Sequence, residues 1–427
     1  MPGVVLAIMF SMLVLAIPVG LSIGLAGILG LFANGGLGML QGVLENTPLS
    51  SVGVYDLMVI PLFILMAEFI MLSGVADDLF RAASVWLGRL PGGLAIATSV
   101  AGSGFGAICG TSTACAATLS ATSLPAMLKE GYEPKMAAGV VSISGTLAML
   151  VPPSVALILY GLIAEVSIGK LLIAGLIPAL VVTATIIATI LFLVWRDPSC
   201  APASRSTTWK EKFASLRGTW AVVVLFGTVT GAIYMGVATA VEAAGLGAAG
   251  ALLIAAVRGK VRLHPICRAI SKAMSATCMI FMIMLGAALF GYFFTMTQVT
   301  QDLVAWVGTL PVSRWVIIVV LLAGYLVLGC FLDQIAILFL TVPLVVPIVV
   351  SLGFDPVWFG VVKVVTAEVG MITPPIGLNC FIVARYSGRP VWEVFQGCYP
   401  HFIAHLFAIA ILVAFPALSL WLPGQMR

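Results

Sequence analysis

Gly145-Thr-Leu-Ala-Met-Leu-Val-Pro-Pro-Ser154 lies inside an apolar segment that runs from Met136 to Ala164. Two consecutive prolines cannot sit in a continuous helix, because each lacks an N–H donor and Pro153 pushes Pro152 out of the helical region. The helix has to break in its middle. If the segment crosses a bilayer, the break frees backbone carbonyls at a depth where only protein, water or a bound ion can satisfy them. A second break of the same kind follows at Gly370-Met-Ile-Thr-Pro-Pro-Ile-Gly377, and both Pro374 minus Pro152 and Pro375 minus Pro153 equal 222. These two interrupted helices are the candidate site.

Composition supports the membrane setting. Of 427 residues 62% are hydrophobic and 8% are charged, with a mean hydropathy of +1.20, whereas a soluble domain carries about 25% charged residues. The chain therefore reads as an all-α polytopic membrane protein. Its first apolar run has no basic start and no small-residue cleavage site, so it reads as a retained span. The small basic excess, 20 Lys and Arg against 16 Asp and Glu, lies in loops, where it sets orientation and does not suggest nucleic acid. The eight cysteines show no CxxC or Cys/His metal spacing and read as small buried hydrophobes.

Taken in order, residues 2–33 split at Pro18 into two short spans, followed by a loop from Asn34 to Asp56. A span at 57–74 and an amphipathic piece at 77–89 come next. The uncharged Gly/Ser/Thr/Ala-rich stretch 93–124 reads as a re-entrant hairpin, too polar at its centre for a simple span. The broken helix 136–164 and a span at 171–194 complete the first half, residues 1–194. Residues 195–219 read as a cytoplasmic linker. In the second half, residues 220–427, spans at 220–236, 240–257 and 273–296 precede an amphipathic piece. A hairpin at 315–348, the broken helix 356–385 and a last span at 391–422 follow.

Every proline between residues 110 and 185 has a counterpart 222 positions on: Pro125 with Pro347, Pro134 with Pro356, Pro152 with Pro374, Pro153 with Pro375 and Pro178 with Pro400. Fixed-offset matching is the signature of duplication. Five crossings plus a hairpin per half would invert the second half relative to the first. With the linker in the cytoplasm, Lys170, Arg314 and Arg427 lie outside, Lys363 lies in the membrane, and the rest of the 20 basic residues lie inside. The positive-inside rule then puts both termini on the periplasmic face.

The runs GTSTACAATLSATSLPAMLKEGYEP, GTLAMLVPPS, SIGKLLIAGLIPAL, GFDPVWFG and ITPPIGLN resemble the large membrane subunit of tripartite ATP-independent periplasmic (TRAP) transporters across nearly the whole chain. The resemblance implies a sodium-coupled importer of organic acids, such as a dicarboxylate or sugar acid, in the bacterial inner membrane. It also implies a small four-span membrane subunit, a periplasmic substrate-binding protein and an elevator-like movement of the transport domain.

Sodium prefers oxygen ligands, and freed carbonyls with nearby hydroxyls provide them without full charge. The first ion is expected between the hairpin tip, with Ser103, Ser112 and Thr113, and the break at Gly145, Thr146 and Val151. The second is expected among Gly329, Asp333, Thr366, Gly370 and Thr373. For any single Ser or Thr, a helix-packing residue or a back-bonded hydroxyl is the plainer reading; their concentration at two related breaks favours the site. Half-helix N-termini there suit an anionic substrate. Lys363 has three readings: substrate counter-ion, snorkelling lysine, or partner of Glu368. Glu68 and Glu242 read as interhelical structural acids. The alternatives are a stand-alone sodium/dicarboxylate symporter or ion antiporter, and a membrane enzyme. The latter fares poorly, since His264, His401 and His405 form no HExxH and no GxSxG occurs.

Overall fold

The computed structural model describes residues 2–15, 17–202 and 208–426. Every regular element among them is helical, as expected for a chain whose backbone groups must pair within their own segment. The first half contains α1 (Pro2–Val14), α2 (Val19–Val52), α3 (Val59–Ser73), α4 (Val75–Leu87), α5 (Gly93–Cys109) and α6 (Ser112–Lys129). It continues with α7 (Pro134–Thr146), α8 (Val155–Ile163), α9 (Ile168–Ala174) and α10 (Leu176–Arg196). The second half contains α11 (Trp209–Tyr234), α12 (Ala240–Val257), α13 (Leu263–Met296), α14 (Val299–Thr309), α15 (Arg314–Phe331) and α16 (Gln334–Ser351). After these come α17 (Pro356–Gly370), α18 (Leu378–Ser387), α19 (Val391–Ala414) and the single turn α20 (Ala417–Leu420). Among the described residues, 9 helical segments are long and apolar enough to cross a membrane.

The 222-residue offset extends from prolines to whole elements. Shifted by 222, α6 coincides with α16, while α5, α7 and α8 fall within two residues of the bounds of α15, α17 and α18. Local chemistry starts the later helices in the same way: Pro134 and Pro356 each take the first helical turn, where a missing N–H costs nothing. Asp355 caps α17 by accepting from the amides of Val357 and Trp358.

Several boundaries differ from the sequence expectation. The expected loop 34–56 is helical as far as Val52, with only Gly36 leaving helical geometry (φ 69°, ψ −165°). Met39, Leu40 and Val43 there pack on a cluster that includes Val5, Phe290 and Phe293, so tertiary packing overrides the glycine-rich composition. The expected linker 195–219 is also shorter. α10 runs to Arg196 and α11 begins at Trp209, started by a reciprocal capping box between Thr208 and Glu211. Residues 203–207 of that linker lie outside the described residues. α13 begins at Leu263, ten residues before the expected start, and α19 stops at Ala414 because Pro416 cannot continue it. Both hairpins run slightly past their expected ends, to Lys129 and Ser351.

The two halves interlock through α7 and α19. A methyl group on Gly139 would overlap the Gly397 backbone, and one on Gly397 would overlap the Lys135 carbonyl. Backbone-to-backbone packing of this kind is open only to small residues and is a means of association where lipid removes the hydrophobic drive. Glu68 of α3 meets Lys272 of α13 at 3.8 Å, an interhelical contact as expected, whereas Glu242 is exposed and accepts from the Thr239 amide, so it caps its own helix α12 and does not link two helices.

Candidate functional site

The first break forms where α7 ends at Thr146 and passes through a 3-10 turn at Leu147–Met149. α8 resumes at Val155, capped by Ser154, whose Oγ accepts from the Leu157 amide at 3.2 Å and donates to the Met149 carbonyl. In the second break α17 ends at Gly370 and α18 resumes at Leu378 after Gly377 in the left-handed region. Both Pro-Pro peptide bonds are cis. A helix end leaves its last four carbonyls without α-helical partners; at the second break the tightened turn after Gly370 takes up those of Ala367, Glu368, Val369 and Gly370, and the Asn379 amide donates to the Met371 carbonyl.

Each hairpin tip is seated on the break of its own half. A methyl on Gly110, in the first tip, would lie 3.0 Å from Val155 Cγ2 and 3.7 Å from the Pro153 carbonyl oxygen. In the second half the Gly377 amide donates to the Cys330 carbonyl near the other tip, at 3.4 Å. Close helix contact makes this seating possible. The Cβ of any residue replacing Gly106 would come 2.8 Å from Ala148 Cα, and at Gly329 it would come 2.9 Å from Gly370 Cα.

The expected site residues separate into two groups. Thr146, Thr366 and Thr373 donate to the carbonyls of Ile143, Val362 and Val369 at 2.7–2.8 Å. Those protons are engaged, while the oxygen lone pairs stay available to a cation. Asp333 caps α16 by accepting from the Ala336 amide at 3.0 Å. Gly145 packs against Ala116 of α6, and Val151 and Thr113 are half-buried.

Two residues point elsewhere. Ser103 pairs with Thr183 of α10 at 2.9 Å and donates to the Ser99 carbonyl, so its hydroxyl is directed at α10 and not at the break. Ser112 crosses between halves: it donates to Glu368 Oε1 at 3.4 Å and lies 3.7 Å from the Met371 sulfur. Spacing within one half could not reveal a contact 256 residues apart in sequence.

Lys363 is fully buried, which removes the snorkelling reading. Among the described residues no carboxylate lies within ion-pair distance of it; its Nζ sits 5.2 Å from the centre of the Tyr325 ring. Glu368 meets it nowhere at ion-pair range and keeps Oε2 unpartnered. The side-chain amides of Gln334 and Asn379, the Tyr325 hydroxyl, and Nε2 of His401 and His405 are likewise buried without a hydrogen-bond partner among the described residues. Sequence reasoning missed Gln334 and Asn379. The available signal was position: Gln334 follows the second tip, and Asn379 is a polar residue in the first turn after a break. Thr146 and Leu150 of the first break, Glu368 of the second broken helix and His405 line one small cavity between the halves.

The breaks differ in enclosure. Pro152 and Pro153 are buried, whereas Pro374 and Pro375 are exposed beside a groove lined by Thr373, Trp392, Tyr399 and Phe402.

Paired broken helices with seated hairpins in an all-helical, multi-pass chain define a membrane carrier. The sequence profile described as "Tripartite ATP-independent periplasmic transporter, DctM component" matches residues 6–418, and the chain belongs to this family of transporter permeases. It is 33% identical over 371 residues to a C4-dicarboxylate TRAP transporter large permease protein of Pseudomonas aeruginosa, covering 87% of this chain and 86% of that one. It is 27% identical to an ectoine TRAP transporter large permease protein of Halomonas elongata, covering 99% of each. It is also 27% identical to a sialic acid TRAP transporter large permease protein of Vibrio cholerae, covering 88% of each. Among solved structures the fold is similar to the YdaH transporter of Alcanivorax borkumensis, with a TM-score of 0.63 at 17% identity and coverage of 90% of this chain and 89% of that one. Family membership sets aside the membrane-enzyme reading.

Proposed function

We propose that this chain is the carrier subunit of a sodium-coupled importer in the bacterial inner membrane. Its substrate is an organic acid anion delivered by a periplasmic binding protein, and it works beside a small four-span membrane subunit. The observation that carries the reading is the seating of each hairpin tip on a broken helix. Around these breaks several buried polar side chains lack partners among the described residues. Leaving such a group unpaired costs about 1–3 kcal/mol, so their retention points to ligands that satisfy them. The relatives named for C4-dicarboxylate, ectoine and sialic acid support a small, carboxylate-bearing substrate. The first ion belongs at the Gly145–Val151 break and the second among Gly329, Asp333, Thr366, Gly370 and Thr373. Lys363, deep inside and without a carboxylate partner among the described residues, is the candidate substrate counter-ion.

The two halves are inverted repeats, residues 1–194 and 220–427, joined by a cytoplasmic linker. The hairpins and broken helices form the transport domain of an elevator, and the packed pairs α2–α13 and α3–α12 form its frame. Cysteine labelling tests the inversion, with position 41 reached from the periplasm and position 204, outside the described residues, reached only from the cytoplasm. Periplasmic labelling at 204 overturns it.

Uptake by the reconstituted complex tests the coupling. Thr373→Ala removes one oxygen and is expected to raise the sodium concentration for half-maximal uptake roughly tenfold, equivalent to about 1.4 kcal/mol. Ser103→Ala, whose hydroxyl faces Thr183, is expected to act more weakly, through the position of α5. Uptake equally fast without a sodium gradient refutes the coupling, and uptake by this chain alone in liposomes refutes the need for partners.

A further inference from the structure

At one end of the bundle the amphipathic helix α4 packs against the first turns of α11. There the Trp86 indole Nε1 donates to the Lys212 carbonyl at 3.1 Å. The Lys212 ammonium lies 5.4 Å from the Trp86 ring centre and 5.0 Å from that of Trp209. Phe213 extends this shelf, edge-on to Trp86 and stacked with Trp209. Trp209 and Phe213 are nonetheless exposed, as are Lys210 and Arg217 on the same helix.

The nearby acids are already engaged. Asp78 is held by Arg258 at 2.6 Å, and that arginine also donates to the Gly218 carbonyl. Glu211 accepts from the Thr208 amide at 2.8 Å in the capping box. No carboxylate lies within ion-pair distance of Lys212 among the described residues.

We propose that the α4–α11 shelf is a binding site for an anionic phospholipid, whose phosphate meets Lys210 and Lys212 at the start of α11 while its glycerol and upper acyl chains lie against Trp209 and Phe213. Two physical features select this occupant. Basic charge kept for orientation alone needs no aromatic clamp, whereas here two indoles hold one ammonium in place. Tryptophan also prefers the headgroup level of a bilayer, which sets an exposed aromatic shelf at the depth of lipid phosphate. A soluble anion would use the cations and leave the aromatic surface uncovered.

The test measures quenching of tryptophan fluorescence in the purified full chain by brominated phosphatidylglycerol and brominated phosphatidylcholine in mixed micelles. The wild type is expected to prefer phosphatidylglycerol. Lys212→Gln and Lys210→Gln are each expected to lower that preference about fivefold. Lys212→Arg is expected to keep it, and so is Lys170→Gln, at the opposite end of the bundle. Equal quenching by both lipids overturns the proposal, as does full preference in the Lys210→Gln/Lys212→Gln double variant. Displacement of phosphatidylglycerol by millimolar inorganic phosphate also overturns it, assigning a free-phosphate site, and so does displacement by the purified small subunit, assigning a protein interface.

Discussion

Replacing Pro374-Pro375 with Ala-Ala is expected to remove one of the two sodium ions, reducing sodium-dependent stabilisation and abolishing uptake, while leaving a protein that inserts and folds. Alanine supplies the N–H that proline lacks and is the strongest helix former. The segment Met371–Gly377 can then continue α17, its carbonyls becoming ordinary helix acceptors. Once those carbonyls accept intrahelical bonds they no longer serve a cation. The same change at Pro152-Pro153 is expected to remove the other ion. A ligand at 100 times its dissociation constant stabilises the native state by about 2.7 kcal/mol, so the loss can be read as the sodium-induced shift in melting temperature. A shift undiminished in both variants would place the ions elsewhere and make the breaks purely structural.

Gly397→Ala is expected to lower stability by about 3 kcal/mol, at the upper end of overpacking costs. The new methyl would meet the Lys135 carbonyl and the Gly139 Cα of the facing helix. Those neighbours are backbone and cannot rotate aside, so α7 and α19 have to separate. Gly291→Ala is the matched control, because nothing lies within 4 Å of the added methyl and the mid-helix substitution favours helix by up to about 1 kcal/mol. Thermal melting of the purified complex decides it: a Gly397→Ala protein as stable as the control would show that α7 and α19 do not pack this closely. Because α7 carries the first break and α19 lies in the other half, the same variant is expected to slow transport beyond its effect on stability.

Much of the architecture was legible in the sequence because its strongest signals are local and covalent. Proline removes a donor wherever it stands, so both breaks followed from Pro152 and Pro374 and the start of α17 from Pro356, whereas α7 begins at Pro134, two residues before the expected Met136. The 222-residue offset, read from five prolines, reappears in the bounds of α5–α8 and α15–α18. Where composition opposed packing, composition misled. Residues 37–52 carry Gly38, Gly42 and Pro48 and still form helix, because Met39, Leu40 and Val43 find apolar surface on a cluster built from both halves, Val5 and Ile23 with Phe290 and Phe293. The start of α11 was legible in Thr208-x-x-Glu211 but was hidden by the polar residues around it.

The candidate site divides along the same line. Sequence alone determined that two oxygen-rich breaks exist and that hairpins of matching length precede them, since backbone chemistry and spacing are carried by each residue and its neighbours. Only the tertiary structure decided which groups meet. It turned Ser103 toward Thr183, brought Ser112 to Glu368 across the halves, buried Lys363 against Tyr325, and left the side-chain amides of Gln334 and Asn379 without partners among the described residues, beside the second tip and break. These pairings depend on the rotation and depth of helices packed together from distant parts of the chain, and no local propensity encodes them.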